Sequence, residues 1–371
     1  MVNDSRVPGA LLLCCAAVSL VISNSAAGNA YISFWQQKTP IISHDFHLPG
    51  TVEHGINDLL MSVFFFAAGL EIKREMLSGH LSDFKGALMP FVSATGGMLL
   101  PAIIYIAVCP TVPDIAGWGI PMATDIAFSL GILSLLGGRV PQSLRIFITA
   151  IAIIDDIGGI LAIALFYAGH LQWGYMLAAG AVALLLIVVK AYRKLPLWIY
   201  MSTGIVLWYL VYNSGIHATI AGVILAFIIP RAYIDRLVHG LATAVNFVIL
   251  PLFALANTAI ALPANIVAAL NVPVFYGIVT GLMVGKPLGI VLFTWAAQRL
   301  KLAALPGDMS MKHVFGAGMV AGIGFTVSMF IATLAFTDIH MQQVAKLAVL
   351  IASVGSGVAG YLYLRYAVAA K

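Results

Sequence analysis

Ile146-Phe-Ile-Thr-Ala-Ile-Ala-Ile-Ile-Asp155-Asp156-Ile-Gly-Gly-Ile-Leu-Ala-Ile-Ala-Leu-Phe166 decides the fold. A helix that crosses a bilayer needs about 20 apolar residues. This run supplies them, and its only charges are two adjacent carboxylates near its middle. A charge at that depth costs at least ~2.5–3.5 kcal/mol unless it is paired or meets water. The stretch therefore reads as a membrane span built around a polar site.

Working outward, the same apolar pattern recurs. Runs bounded by charges or Gly/Pro breaks fall at about 8–28, 52–78, 86–109, 114–137, 142–167, 172–191, 196–211, 214–228, 236–262, 273–297, 311–336 and 342–368. The fold expected is all-α and integral to a membrane, with about twelve transmembrane helices forming a single transporter domain over 1–371. Runs 196–211 and 214–228 are short and suit tilted or partial spans. Residues 29–51 suit a small external turn or hairpin. Composition agrees: 61% of the 371 residues are hydrophobic and 9% charged, against about 25% charged in soluble domains. The mean hydropathy is +1.02. The net charge of +5 is scattered singly through short connections, so no nucleic-acid surface is expected. No cofactor is expected. Cys14, Cys15 and Cys109 have neither metal nor redox spacing and read as small packing residues. The first run reads as a retained helix: its n-region is weak for a signal peptide, with Asp4 offsetting Arg6.

Basic residues set the expected orientation. With the N-terminus inside, sixteen of the nineteen Lys and Arg residues collect on the inner side. Lys38 and Lys346 fall outside, and Lys286 falls within a helix. Both termini are then cytoplasmic.

Asp125, Asp155, Asp156 and Lys286 lie near the middles of their runs, so three acids and one base share roughly one depth. They should face one another or a wet cavity. A purely structural Asp–Lys bridge leaves two carboxylates unexplained. Adjacent helical residues point about 100° apart, so one of Asp155 and Asp156 can face Lys286 while the other faces a cavity. Two carboxylates this close titrate as a coupled pair. Such a pair can trade protons for a hard cation, which prefers oxygen ligands. Two runs look breakable and able to add free carbonyls. One is Gly117-Trp-Gly-Ile-Pro121-Met-Ala-Thr124-Asp125, and the other is Gly316-Ala-Gly-Met-Val-Ala-Gly322-Ile-Gly324-Phe-Thr326. They lie in the fourth and eleventh candidates, equivalent positions if helices three to five and ten to twelve are repeats. Paired breaks mark a transporter site, and close packing through small residues is the competing reading.

Seven stretches carry a resemblance over nearly the whole chain. They are Gly69-Leu-Glu-Ile-Lys-Arg-Glu75, Ala123-Thr-Asp-Ile-Ala-Phe128, Ala150-Ile-Ala-Ile-Ile-Asp-Asp156, Ser214-Gly-Ile-His-Ala-Thr-Ile-Ala-Gly222, Leu250-Pro-Leu-Phe-Ala-Leu-Ala-Asn257, Gly285-Lys-Pro-Leu-Gly289 and Gly322-Ile-Gly-Phe-Thr326. In this order and spacing the chain resembles bacterial NhaA-type sodium/proton antiporters. For that family, inverted-topology repeats with two broken, crossing helices are known architecture. The resemblance implies electrogenic extrusion of Na⁺, and of Li⁺, against protons across the bacterial inner membrane. Asp156 would be the principal ion and proton carboxylate. Asp155 would exchange a salt bridge with Lys286 for a proton, and both acids would ligate the transported Na⁺. Asp125 and Lys286 would compensate the half-helix ends, and Thr124 would add an oxygen. Pro121, Gly322 and Gly324 would form the broken backbone. Activation by alkaline pH is also implied, with Glu71, Arg74, Glu75, His217 and His239 as sensing candidates. The competing reading of each is a solvated charge or a packed histidine. One departure is Val238, where the family pattern has an acid. A homodimer through an external hairpin is implied as well.

Other classes fit less well. An intramembrane aspartyl protease needs two carboxylates sharing a proton, which leaves the third acid and Lys286 without a role. A passive channel needs a ring-built filter, and none is visible. A proton-coupled transporter of another small solute is the alternative, although few polar groups line these helices beyond the site. The reading is thus a secondary active transporter and not an enzyme.

Overall fold

The structure is a computed structural model that describes residues 6–38, 48–79, 81–169, 171–263, 265 and 270–367. Helix dominates, and among the described residues strand pairing is limited to an isolated antiparallel bridge, Lys38 with Thr51. The elements are α1 Arg6–Ser23, α2 Gly28–Gln36, α3 Val52–Ser78, α4 Phe84–Val108, a 3₁₀ segment Asp114–Met122, and α5 Ile126–Leu135. They continue with α6 Gln142–Phe166, α7 Trp173–Tyr192, α8 Leu197–Asn213, α9 Thr219–Ile228, and α10 Arg231–Asn257. The last four are α11 Pro273–Arg299, α12 Met311–Ala321, α13 Phe325–Ala335 and α14 Ile339–Tyr366.

Seven of these helices are long and apolar enough to cross a membrane, and up to ten spans result if each of three bent pairs counts as one. The bent pairs are α1 with α2 at 114°, the 3₁₀ segment with α5 at 44°, and α12 with α13 at 49°. The first candidate run was expected to continue to residue 28. It ends at Ser23 because polar side chains claim the last carbonyls: Asn24 Nδ2 donates to Leu20 O and Ser25 Oγ to Ile22 O. Within 29–51, α2 occupies much of what was expected to be a turn, and residues 39–47 lie outside the described residues. The two short candidates are the 17-residue α8 and the 10-residue α9. At 1.5 Å per residue α9 covers only about 15 Å, half a hydrocarbon core.

The chain divides into two compact units, both discontinuous in sequence. One comprises Met1–Cys14, His80–Gly159 and Ile260–Lys371, and the other Cys15–Gly79 and Ile160–Ala259. In the first, α4 and α11 pack backbone to backbone. A Cβ added at Gly96 would run into Gly289 O, and one at Gly289 into Gly96 O. Lipid offers no hydrophobic drive between helices, so small residues that allow close approach hold such crossings. Gly289 lies one turn beyond Lys286, so this crossing also fixes where that lysine sits. Gly289→Ala is expected to cost about 1–3 kcal/mol, the range for overpacking a tight interior. A lowered thermal midpoint in detergent would register it. In the second unit α3 meets α9 in the same way. Gly222 lies against Ser62 O and Gly69 against Ala226. There Lys73 donates to the carbonyls of Ala226, Phe227 and Ile229, and Lys190 to that of Ile228, so two basic side chains close the C-terminal end of α9.

Candidate functional site

Five charged side chains are buried among the described residues: Asp125, Asp155, Asp156, Lys286 and Lys346. All five belong to the first unit. Burial of charges in an apolar bundle requires pairing and hydrogen bonding, and around the two breaks the geometry supplies them for Asp125, Asp155 and Lys286.

The sequence explains the breaks locally. Gly117, Gly119 and Pro121 lie in the 3₁₀ segment, which ends at Met122, and Ala123 is extended, with φ −76° and ψ 153°. On the other side α12 stops at Ala321, and Gly322, Ile323 and Gly324 separate it from α13. A Cβ on Gly322 would press on Leu282 O and Ser356, and one on Gly324 on Ser328. Glycine is required here by close approach. Asp125 N–H donates to Ile323 O at 2.6 Å, and Ser328 Oγ donates to Ile120 O at 2.6 Å. The two irregular segments thus satisfy each other's backbone, as buried non-helical chain in a membrane must.

Asp125 is the N-cap of α5. Its Oδ1 accepts Phe128 N–H at 3.1 Å, and its Oδ2 accepts Thr326 N–H at 3.3 Å and Thr326 Oγ–H at 2.7 Å. One carboxylate therefore serves the N-termini of α5 and α13, where helix dipoles favour negative charge. Replacing Asp125 by alanine strips both ends together. The expected loss is about 1–4 kcal/mol, twice the range for one cap, while Thr326→Val should lose about 1 kcal/mol. Thermal unfolding of the two variants checks the ratio.

Lys286 serves the opposite polarity. A π turn, Gly281–Gly285, immediately precedes it, and such turns shift the helical face that follows. Its Nζ lies 2.9 Å from Asp155 Oδ2, with both side chains 0% exposed, and it also donates to Met122 O at the end of the 3₁₀ segment. Thr124 Oγ donates to Asp155 Oδ2 at 2.7 Å and lies 3.0 Å from Ala321 O. Thr124 thus ties α6 to both breaks. Asp155 Oδ1 is buried and makes no hydrogen bond among the described residues. Asp156 is 6% exposed and lies near enough to Lys286 to interact electrostatically. Of the adjacent acids, Asp155 is the one that faces the lysine. The three acids do not converge on one point, and among the described residues no group of three His, Cys, Asp or Glu side chains forms a metal-type cluster. The arrangement is two neighbouring stations: Asp125 with two helix N-termini, and Asp155–Lys286 with Thr124.

The sensing candidates all lie in the other unit. Glu71, Arg74 and Glu75 are on α3 and interact electrostatically. His217, between α8 and α9, has its Nε2 2.8 Å from Tyr167 O. His239 is exposed on α10, with Nδ1 2.7 Å from Asp235 O, and Val238 beside it is buried. Two further residues stand apart from expectation. Thr326 is a direct partner of Asp125, and its signal was its place just past the glycine break, mirroring Thr124 before the acid. Lys346, expected on the outer side, is 5% exposed within α14. It lies two turns inside the helix from its N-cap Asp338.

Known proteins resemble the chain over nearly its whole length. A family model described as "Na+/H+ antiporter 1" matches residues 1–364. The chain is 45% identical over 373 residues to the "Na(+)/H(+) antiporter NhaA 1" of Flavobacterium johnsoniae, covering 98% of this chain and 95% of that one. It is 44% identical to the "Na(+)/H(+) antiporter NhaA" of Dechloromonas aromatica, covering 98% and 94%. It is 39% identical to the Helicobacter pylori protein of the same description, again covering 98% and 94%.

Proposed function

The chain belongs to the Na+/H+ antiporter 1 family, and from that premise we propose that it exchanges Na⁺ for protons through Asp155 and Asp156. The observation that carries the site assignment is the fully buried Lys286–Asp155 pair, bridged by Thr124 to Ala321 O at the break between α12 and α13. A hard cation seeks oxygen ligands, and two carboxylates with a threonine hydroxyl and free backbone carbonyls provide them. The same carboxylates take protons. Occupancy is competitive: the ion displaces protons, and protons displace the ion. Asp155 holds Lys286 while charged and releases it on protonation, which gives the site two discrete electrostatic states.

Two carboxylates can carry two protons against one Na⁺, so each cycle moves net charge. At a membrane potential of 100 mV one charge is worth about 2.3 kcal/mol, enough to drive Na⁺, and Li⁺, outward. The broken segments belong to two crossing spans of an inverted-repeat bundle of about twelve helices. Asp125 balances their N-termini, and Lys286 the facing C-terminal end at Met122. The protein lies in the bacterial inner membrane with both termini cytoplasmic, which the skewed placement of Lys and Arg supports. A homodimer through segment 29–51 completes the reading.

Proteoliposomes carrying an internal pH dye test the exchange. A Na⁺ or Li⁺ pulse should move internal pH, and no Na⁺-dependent change anywhere from about pH 6.5 to 9, the range bracketing histidine and raised carboxylates, would refute it. Regulation is tested separately. The initial rate should rise as pH increases across this window, through Glu71, Arg74, Glu75, His217 and His239. A flat profile would remove the sensing assignment and leave the exchange intact.

A further inference from the structure

The first unit contains a cavity of about 280 Å³ whose walls include Leu13, Phe128, Ile323, Phe325, Leu350 and Val358. It runs along α14 from Leu350 to Tyr361 and Leu362. Eleven residues of helix separate Leu350 from Tyr361, about 16 Å of rise. One leaflet of hydrocarbon is about 15 Å deep. The cavity is therefore as long as one lipid tail and almost purely apolar.

Its end near the helix C-terminus is different. Arg365 Nη1 donates to the Tyr361 hydroxyl at 2.9 Å, and its guanidinium lies 5.7 Å from the Tyr361 ring centroid and 5.3 Å from that of Tyr366. The arginine is exposed but held at the mouth by one hydrogen bond and two aromatic faces. Tyrosine and arginine together at a helix end are what a headgroup region favours. Guanidinium is also the side chain best matched to phosphate. Lipid everywhere else on the surface is equally apolar, so a preference at this cavity must come from shape and headgroup charge.

We propose that this cavity is a binding site for a net-anionic phospholipid, with one acyl chain lying along α14 and its phosphate on Arg365. The consequence reaches the buried charges. Phe128 and Phe325, whose rings meet edge to face at 5.1 Å, are wall residues, and each stands near the start of its helix just past a break. Phe128 N–H donates to Asp125, and Ile323 O accepts Asp125 N–H. A tail in the cavity packs against the backbone that holds Asp125.

The test uses the full chain in mixed micelles with two acyl-photoactivatable probes, phosphatidylglycerol and phosphatidylcholine of matched tails. Labelled peptides are then mapped. Residues 128–135 and 350–362 should label about fivefold more with phosphatidylglycerol, the roughly 1 kcal/mol that a basic residue near the headgroups contributes. Arg365→Ala should bring this down to the phosphatidylcholine level. Val358→Trp, filling the cavity from its exposed rim, should reduce labelling by both probes, and Val354→Phe serves the same purpose if the tryptophan variant does not fold. Equal labelling by the two probes in the wild type overturns the headgroup assignment. Labelling of these segments unchanged in the folded filling variants overturns the cavity. Neither readout depends on Na⁺/H⁺ exchange, so this proposal and the exchange reading fail independently.

Discussion

Asp156→Asn protein reconstituted in liposomes should move no protons in response to Na⁺ beyond the leak of empty vesicles, while unfolding near the wild-type temperature. Asparagine keeps the shape of the carboxyl group and one carbonyl oxygen. It cannot alternate between charged and neutral forms, and that alternation is what couples a proton to an ion at a shared site. Asp155 does not substitute for it. Its Oδ2 is held by Lys286 and Thr124, and the two side chains project about 100° apart around α6. The fold should tolerate the change because removing a charge that is 6% exposed relieves desolvation. Sodium-driven exchange at the wild-type rate would show that the transport carboxylate lies elsewhere.

Lys286→Met is the second large effect, and it appears in stability. Methionine roughly preserves volume but leaves Asp155 charged in a site with no solvent. Breaking one side of a buried ion pair costs about 3–5 kcal/mol, whereas replacing both partners with neutral groups is often close to neutral. The single variant should therefore show a markedly lower thermal midpoint in detergent. The double variant Asp155→Asn with Lys286→Met should recover most of the loss. That non-additivity is the signature of direct coupling. If the double variant is as unstable as Lys286→Met alone, the lysine is stabilising the fold through its bond to Met122 O and not through Asp155.

Much of this was legible from residue type and position. The apolar run around Asp155 and Asp156 marks a span with a polar centre because charges are rare and costly at that depth. Gly117, Gly119, Pro121, Gly322 and Gly324 mark where helices fail, whereas Gly316 and Gly318 lie inside α12 at close packing contacts. Which backbone atoms would serve as partners was not legible. The breakable runs were legible, but Met122 O and Ala321 O become the acceptors of Lys286 and Thr124 only once distant segments meet. Helical phase alone left open which of Asp155 and Asp156 meets Lys286; the family resemblance named Asp155, and the pair lies at 2.9 Å. The π turn Gly281–Gly285 just before the lysine had no sequence signal of its own. The α4–α11 crossing rests on Gly96 and Gly289; Gly289 lies in one of the stretches that carry the resemblance, but nothing local pairs it with Gly96 among the 35 glycines. The burial of Lys346 within α14 was not legible, because hydropathy reports a charge and not the face of the helix on which it lies.

The central claim is that one buried carboxylate site holds either protons or Na⁺. Proton release on Na⁺ binding tests it most directly. Purified protein in weakly buffered detergent near pH 8 is given Na⁺, and the solution pH is followed. The solution should acidify to an extent that saturates with Na⁺ and scales with protein, and Asp156→Asn should show no such change. Saturable Na⁺ binding with no proton release, or undiminished release from Asp156→Asn, would contradict it.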